Sequence, residues 1–127
     1  MKKIPTAIVV DDDRDLVESF CEYLKIVDVN VVGHCHNGKT AIELYLQKSP
    51  DIVFLDLVMP EYDGFFALEG IKSMDPAAKV VVLTANNSAP TMERLQGLKP
   101  HRVLFKPFEI DKIIDSVEDM RKPQLVA

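Results

Sequence analysis

The sequence lacks the features that mark membrane-bound and secreted proteins. No apolar run approaches the length that crosses a bilayer, and neither end shows a lipidation signal. The apolar stretch after Lys2 and Lys3 is cut short by Asp11, which does not match a secretory signal. Only two cysteines are present, Cys21 and Cys35. We therefore expect a soluble cytoplasmic protein whose cysteines are free thiols.

Basic clusters and internal repeats are also missing. The 20 acidic residues outnumber the 15 basic ones, the formal net charge is −5, and no Lys/Arg-rich run occurs. We therefore expect no nucleic acid and no anionic membrane among the partners. No linker or low-complexity stretch divides the 127 residues, a length that suits one domain with a packed core. The prediction is a single domain over residues 1–127, with a frayed tail at 122–127.

Short apolar runs alternate with segments of helical periodicity. The predicted strands are residues 8–10, 29–35, 52–55, 80–83 and 103–105. The first, third and fourth are almost wholly apolar, which is typical of a parallel sheet covered on both faces. Helical spacing begins at Leu16, Ala41, Phe65 and Ile110, with a weaker case around Met92 that Pro90 and Gly97 limit. The pattern predicts an α/β fold, a (βα)5 doubly wound parallel sheet.

Polar side chains stand where four of these strands end. Asp11 and Asp12 follow the first strand, Asp56 the third, Thr84 the fourth and Lys106 the fifth. Strand two contributes no obvious member. Ligands of open α/β sheets bind at the carboxyl ends of the strands. Carboxylates, a hydroxyl and an ammonium group on one edge are typical of a site for a hard divalent cation and an anion.

At this point the residues resemble a known family. The segments "VVDD" (9–12), "DIVFLDLVMPEYDG" (51–64), "VVLTA" (81–85) and "FKPF" (105–108) are similar to the receiver domain of two-component response regulators, in its stand-alone, chemotaxis-type form. They occur in the family's order and spacing across nearly the whole chain. The resemblance implies a flavodoxin-like sheet of strand order 2-1-3-4-5.

The resemblance also implies a role for each of the three aspartates at the strand ends. Asp56 would be the nucleophile that accepts a phosphoryl group from a histidine kinase or phosphotransfer protein, in a reaction that needs mainly positioning and charge neutralisation. Asp12 would bind Mg²⁺ directly, and Asp11 directly or through water. Asp56 and the backbone carbonyl of Val58 would complete the protein ligands. Mn²⁺ would also fit this site.

The remaining implied residues hold the phosphoryl group. Lys106 would pair with one phosphoryl oxygen, Thr84 would donate a hydrogen bond to another, and the backbone N–H of Ala85 would join them. Lys106 and Pro107 match the family's cis peptide. Beside Asp56, Val58 has no group to hold an attacking water, whereas Asn86 could orient one through its amide. These two residues are predicted to tune the lifetime of the phosphorylated form.

Other residues invite simpler interpretations. Asp13 and Asp15 are predicted to be first-turn acids at a helix N-terminus, and Asp63 to be a turn former before Gly64. The run His34-Cys35-His36 suggests zinc, but neighbouring strand residues point to opposite faces and a fourth ligand is missing. Cys35 is instead expected to pack inward.

Other function classes fit less well. Three aspartates after strand one would repel a flavin phosphate, and a haloacid-dehalogenase-type phosphatase needs an aspartate where this chain has Val58. A degenerate receiver, acting as an unphosphorylated interaction module, would have lost an acid or the lysine, and all are retained. We therefore expect a signalling receiver rather than an enzyme, one that catalyses only its own phosphorylation and dephosphorylation.

Two departures concern the output of the switch. Val103 occupies the position, three before Lys106, where the family often has an aromatic residue, and Lys99-Pro100 replaces the frequent Gly-Ala. Phe105 or His101 are alternatives for reading out the change on this face. Output is expected through binding to a separate effector protein, with chemotaxis as one pathway. The unphosphorylated protein is expected to be a monomer.

Overall fold

The computed structural model describes residues 4–121, so the predicted frayed tail at 122–127 lies outside the described residues. The strands are β1 (Thr6–Val10), β2 (Asn30–Cys35), β3 (Ile52–Asp56), β4 (Val80–Thr84) and β5 (Arg102–Phe105). The helices are α1 (Arg14–Ile26), α2 (Gly38–Lys48), α3 (Gly64–Met74), α4 (Ala89–Leu98) and α5 (Ile110–Arg121). No helix in this part of the chain combines the length and apolarity needed to cross a membrane.

All neighbouring strands are parallel, and their order is β2-β1-β3-β4-β5. This is the flavodoxin-like α/β architecture that the resemblance implies, so the predicted fold class is confirmed. Parallel pairing requires a crossover connection between consecutive strands, and a helix supplies each one. Every predicted strand is present, with ends that differ by one or two residues.

Two apolar layers cover the sheet, one on each face. Side chains of α1 and α5, including Phe20 and Ile113, pack with Phe54 on one face. Side chains of α2, α3 and α4, including Leu68 and Leu95, pack with Leu55 on the other. Phe54 and Leu55 are both fully buried although they are adjacent in β3. Because successive strand residues point to opposite faces, a strand covered on both faces must be apolar throughout.

The helices that face the carboxyl edge begin at capping side chains. Asp13 caps α1 by accepting from the Leu16 N–H, and Asn37 caps α2. Asp63, predicted only as a turn former, caps α3 by accepting from the Phe66 N–H at 3.0 Å. Capping satisfies backbone donors that the first helical turn leaves unpaired. Gly97 was expected to limit α4 but lies inside it, one residue before its end.

Candidate phosphoryl-acceptor and metal site

The predicted polar residues meet at the carboxyl edge of the sheet. Asp11 directly follows β1, Asp56 is the last residue of β3, Thr84 is the last residue of β4, and Lys106 directly follows β5. The parallel ladder places these four strand ends side by side because every strand runs in the same direction. The backbone N–H of Lys106 also donates to the Thr84 carbonyl oxygen at 2.8 Å. The sequence therefore located this edge correctly.

Three carboxylates form a compact cluster at this edge. Asp11, Asp12 and Asp56 each offer one carboxylate oxygen, and these atoms lie within 4.8 Å of one another. Asp11 is 4% exposed and Asp56 is 7% exposed, whereas Asp12 is open to solvent. Among residues 4–121 this is the one group of three or more acidic, histidine or cysteine side chains close enough to share a metal ion.

Lys106 supplies the positive charge that faces the cluster. Its Nζ lies 3.2 Å from Oδ2 of Asp11 and 3.5 Å from Oδ1 of Asp56. One ammonium group cannot neutralise three carboxylates, so the cluster keeps an excess of negative charge. The peptide bond between Lys106 and Pro107 is cis, as the resemblance implies.

Burial changes the acidity of Asp56. Loss of hydration raises its pKa from 3.8 to about 6, and the nearby charge of Asp11 acts in the same direction. Lys106 opposes both effects by stabilising the ionised form. Desolvation is the largest contribution, since a charged group is disfavoured away from water. A pKa near 6 still leaves Asp56 mostly ionised at neutral pH.

The opposite border of the site is formed by the segment after β4. Thr84 is fully buried, and its Oγ1 accepts a hydrogen bond from the Asn86 N–H at 3.0 Å. Its hydroxyl hydrogen is not used in that bond and remains available to a ligand. Ala85 and Asn86 are exposed, and Oδ1 of Asn86 accepts from the Ser88 N–H at 2.9 Å. Across the site Val58 is 67% exposed.

The sequence did not reveal one contact at this edge. Strand two was expected to contribute no obvious member, yet Nδ1 of His36, just after β2, lies 2.9 Å from the backbone carbonyl oxygen of Asp11. The two residues are 25 positions apart. The spacing of apolar residues along the chain cannot predict a contact between residues so far apart in sequence. The position of His36 directly after a strand adjacent to β1 was the available signal.

The histidine and cysteine run does not form a metal cluster among residues 4–121. Cys35 is 5% exposed and belongs to the apolar layer under α2, which confirms that it packs inward. The rings of His34 and His36 are 6.0 Å apart. Cys21 and Cys35 are free thiols in the structure, and burial raises the pKa of both.

The donor set of the acidic cluster fits Mg²⁺. The cluster offers only oxygen atoms, which Mg²⁺ prefers, and the exposed Asp12 side leaves room for the waters that this ion retains. The ion would be held by few protein ligands.

Comparison with known proteins decides the family. The response regulator receiver domain model matches residues 7–118. The chain belongs to the response regulator receiver domain family. Receiver domains are signalling switches of two-component systems rather than classical enzymes, and Mg²⁺ binding is general in the family.

Individual proteins of this kind are similar to the chain in sequence or in fold. This receiver domain is similar to the chemotaxis protein CheY of Listeria monocytogenes, with 32% identity over 115 residues that cover 91% of this chain and 97% of that protein. The signal receiver domain of the response regulator NarL from Mycobacterium tuberculosis has a TM-score of 0.86 at 25% identity, covering 96% and 99% of the two chains. A chain of the CheX-CheY-BeF3-Mg complex from Borrelia burgdorferi shares the fold, with a TM-score of 0.85 at 22% identity, covering 93% and 90%.

Proposed function

We propose that this receiver domain is a phosphorylation-activated switch in which Asp56 accepts a phosphoryl group from a histidine kinase or phosphotransfer protein. One observation carries the proposal: the buried carboxylate at the end of β3 faces both an acidic pair and the Lys106 ammonium group, 3.5 Å from its Oδ1. If Lys106 served only in a structural ion pair, one carboxylate would be enough to balance its charge. The surplus of carboxylates instead favours a site completed by a cation.

The proposed chemistry is a displacement at phosphorus. A carboxylate oxygen of Asp56 forms a bond to the phosphorus, and the bond to the donor's imidazole nitrogen breaks, leaving the electron pair on that nitrogen. Lys106, the Thr84 hydroxyl and the Ala85 N–H hold the oxygens of the transferred group. Such a transfer needs mainly alignment and charge stabilisation. Lys106, already held by Asp11 and Asp56, is placed to supply both.

A divalent cation would be bound by Asp11, Asp12, Asp56 and the Val58 carbonyl oxygen. When bound, Mg²⁺ supplies positive charge that neutralises the phosphoryl oxygens. Asp11 and Asp12 would orient it, and Asp56 would have to be ionised to share it. Mn²⁺ takes the same oxygen ligands.

The unphosphorylated protein is proposed to be a monomer. Phosphorylation would change its surface, and the phosphorylated form would then bind a separate effector protein. The supporting observation is the CheY relative, which the match covers over 97% of its length. Chemotaxis is therefore the first pathway to test. Nucleic acid and membranes are not proposed as partners, since the net charge is −5. A cytoplasmic location is proposed.

Intact-mass measurement after incubation with acetyl phosphate and Mg²⁺ tests the proposal. The wild type should gain one phosphoryl group, and Asp56→Asn should gain none. Asp63→Asn is the matched control, because it makes the same change on the following loop and asparagine also caps helices. Phosphorylation of Asp56→Asn at the wild-type level would contradict the assignment of the acceptor.

The same incubation separates the alternatives when released inorganic phosphate is measured together with the protein mass. A degenerate receiver acting as an interaction module would take up no phosphoryl group in the wild type. A haloacid-dehalogenase-type phosphatase would turn over the donor continuously, using a general acid two positions after the nucleophile. Val58 occupies that position, and its apolar side chain cannot transfer a proton.

A further inference from the structure

One side chain from β2 reaches the backbone of the acidic cluster. Nδ1 of His36 lies 2.9 Å from the carbonyl oxygen of Asp11. A carbonyl oxygen only accepts hydrogen bonds, so Nδ1 carries the hydrogen and donates it. The imidazole therefore has a fixed tautomer in this contact, with its donating nitrogen directed at the main chain rather than at the carboxylates.

This contact completes the polar partners of Asp11. Its N–H donates to the Cys35 carbonyl oxygen at 3.2 Å, its Oδ1 accepts from the Asp13 N–H at 3.0 Å, and its Oδ2 faces Lys106 at 3.2 Å. The end of β2 thus holds both main-chain polar groups of Asp11, while Asp13 and Lys106 hold its side chain.

Asp12 has no comparable support. Its side chain is exposed, and within residues 4–121 no hydrogen bond or ion pair holds its carboxylate. Repulsion from the carboxylates of Asp11 and Asp56, within 4.8 Å, favours turning it away from the site. The Asp11 carbonyl and the Asp12 N–H belong to one planar peptide unit. A hydrogen bond that fixes this carbonyl therefore fixes the plane from which the Asp12 side chain leaves.

We propose that His36 is a positioning residue for the divalent-cation site, acting through the Asp11–Asp12 peptide. The proposal rests on the function proposed above, since it assumes that Asp11 and Asp12 hold the cation. His36 is not itself a ligand: its Nδ1 is committed to the carbonyl, and the potential metal cluster in the described part of the chain contains only aspartates.

Two variants of similar side-chain shape test the role of the donor. In His36→Asn the side-chain NH₂ group lies near the place of Nδ1 and can donate a hydrogen bond to the Asp11 carbonyl oxygen. In His36→Leu the side chain has about the same size as that of asparagine but has no hydrogen-bond donor. Mn²⁺ alone is titrated into each protein without a phosphodonor, and free Mn²⁺ is measured by electron paramagnetic resonance. We expect His36→Leu to bind Mn²⁺ roughly 10-fold more weakly than the wild type, as is usual when a supporting partner of a metal site is lost. His36→Asn should bind within about 2-fold of the wild type.

His34→Leu is the matched control, because His34 lies at the same strand end and has no hydrogen bond to Asp11. It should bind Mn²⁺ like the wild type. Melting temperatures in metal-free buffer check folding, and His36→Ala replaces His36→Leu if the latter is unfolded. Unchanged Mn²⁺ affinity in the non-donor variant, or equal weakening in His36→Asn, would overturn the proposal. A wild type that binds no Mn²⁺ would overturn both this proposal and the proposed function.

Discussion

The carboxyl group of Asp56 experiences opposing influences. Burial and the charge of Asp11 favour its protonated form, and Lys106 favours its ionised form. The net result is a pKa raised from 3.8 to about 6. The sequence could place Asp56 at the end of a strand. It could not predict the shift, since that depends on which side chains pack around the carboxylate.

This shift predicts a pH-dependent stability in metal-free buffer. Between the unfolded pKa and the folded value of about 6, the folded protein holds more protons on Asp56 than the unfolded chain does. The resulting stabilisation is full below the unfolded pKa and is lost as the pH rises through the folded one. Replacing Asp56 by asparagine should remove this contribution, which for a pKa raised from 3.8 to about 6 is at most about 3 kcal/mol.

Urea unfolding of the wild type and Asp56→Asn in EDTA, from about pH 4 to about pH 8, measures the difference. The stability of the wild type relative to the variant should fall across this range. Glu43→Gln, at an exposed position on α2, controls for loss of a carboxylate. Parallel pH profiles for the wild type and Asp56→Asn would refute the prediction.

Val58 and Asn86 are predicted to set the lifetime of the phosphorylated form. Val58 is 67% exposed and offers no hydrogen bond to an attacking water. The Asn86 Oδ1 already accepts a hydrogen bond from the Ser88 N–H, and the Asn86 NH₂ group can donate one to that water. Val58→Asn should therefore shorten the lifetime by about 10-fold, the effect of one positioned hydrogen bond.

Decay of the phosphorylated protein after removal of acetyl phosphate, at fixed Mg²⁺, measures this lifetime. Asn86→Ala should lengthen it, although that change also removes the bond to Ser88, which makes Val58→Asn the sharper variant. Val58→Leu controls for the volume of the side chain. A decay rate that Val58→Asn leaves unchanged or slows would show that water orientation at this border does not control the lifetime.

At the level of elements, sequence and structure differ mainly at the ends of strands. An apolar pattern stops at the first polar residue, but the backbone ladder continues. Asp56 pairs with Leu83, and Thr84 pairs with Phe105, so both polar residues belong to strands. These two candidate site residues are therefore held by the sheet itself, whereas Asp11 and Lys106 directly follow their strands. A pattern of side chains alone cannot show this difference.

The helix that follows β3 packs closely against the main chain at the end of that strand. A Cβ atom at Gly64 would lie 2.2 Å from the Asp56 carbonyl oxygen and 2.6 Å from Leu57 Cα, both main-chain atoms. Gly64→Ala should therefore displace the end of β3 and destabilise the protein by about 2 to 3 kcal/mol. Phosphorylation by acetyl phosphate should slow as well, because the displaced strand end carries Asp56.

Gly97→Ala is the matched comparison for this change. Gly97 lies within α4, and an added Cβ would meet nothing within 4 Å. The same substitution should stabilise the protein there by about 0.5 to 1 kcal/mol, since alanine favours the helix. Chemical denaturation of both variants measures the contrast, and equal effects at the two sites would contradict the close approach at Gly64.

The pattern of apolar residues predicted the layers of the fold but not the order of the strands. Alternating apolar strands and amphipathic helices predicted two layers of helices around a parallel sheet, and both layers are present. The strand order could not follow from periodicity, because interior strands of a doubly covered sheet have similar apolar patterns. Resemblance to a family supplied it. Val103, where the family often has an aromatic residue, packs on the layer that contains Leu95 of α4.

The net acidity of the site should couple the stability of the whole domain to divalent cations. Three carboxylates face one lysine, so repulsion between negative charges destabilises the folded protein. A bound cation would remove this repulsion, which is absent in the unfolded chain. A ligand that binds only the folded state stabilises it by about 1.4 kcal/mol at ten times its dissociation constant. Mg²⁺ at that level should raise the melting temperature by about 3 to 6 °C for a domain of this size.

Thermal melts with Mg²⁺ and with NaCl at equal ionic strength separate specific binding from screening. Asp12→Asn should lose most of the Mg²⁺ response, and without metal it should melt no lower than the wild type, because one repulsive charge is gone. Asp63→Asn, outside the cluster, should respond to Mg²⁺ like the wild type. An Asp12→Asn protein with the full Mg²⁺ response would exclude Asp12 from the site. One that melts lower without metal would show that its carboxylate stabilises the fold by means other than cation binding.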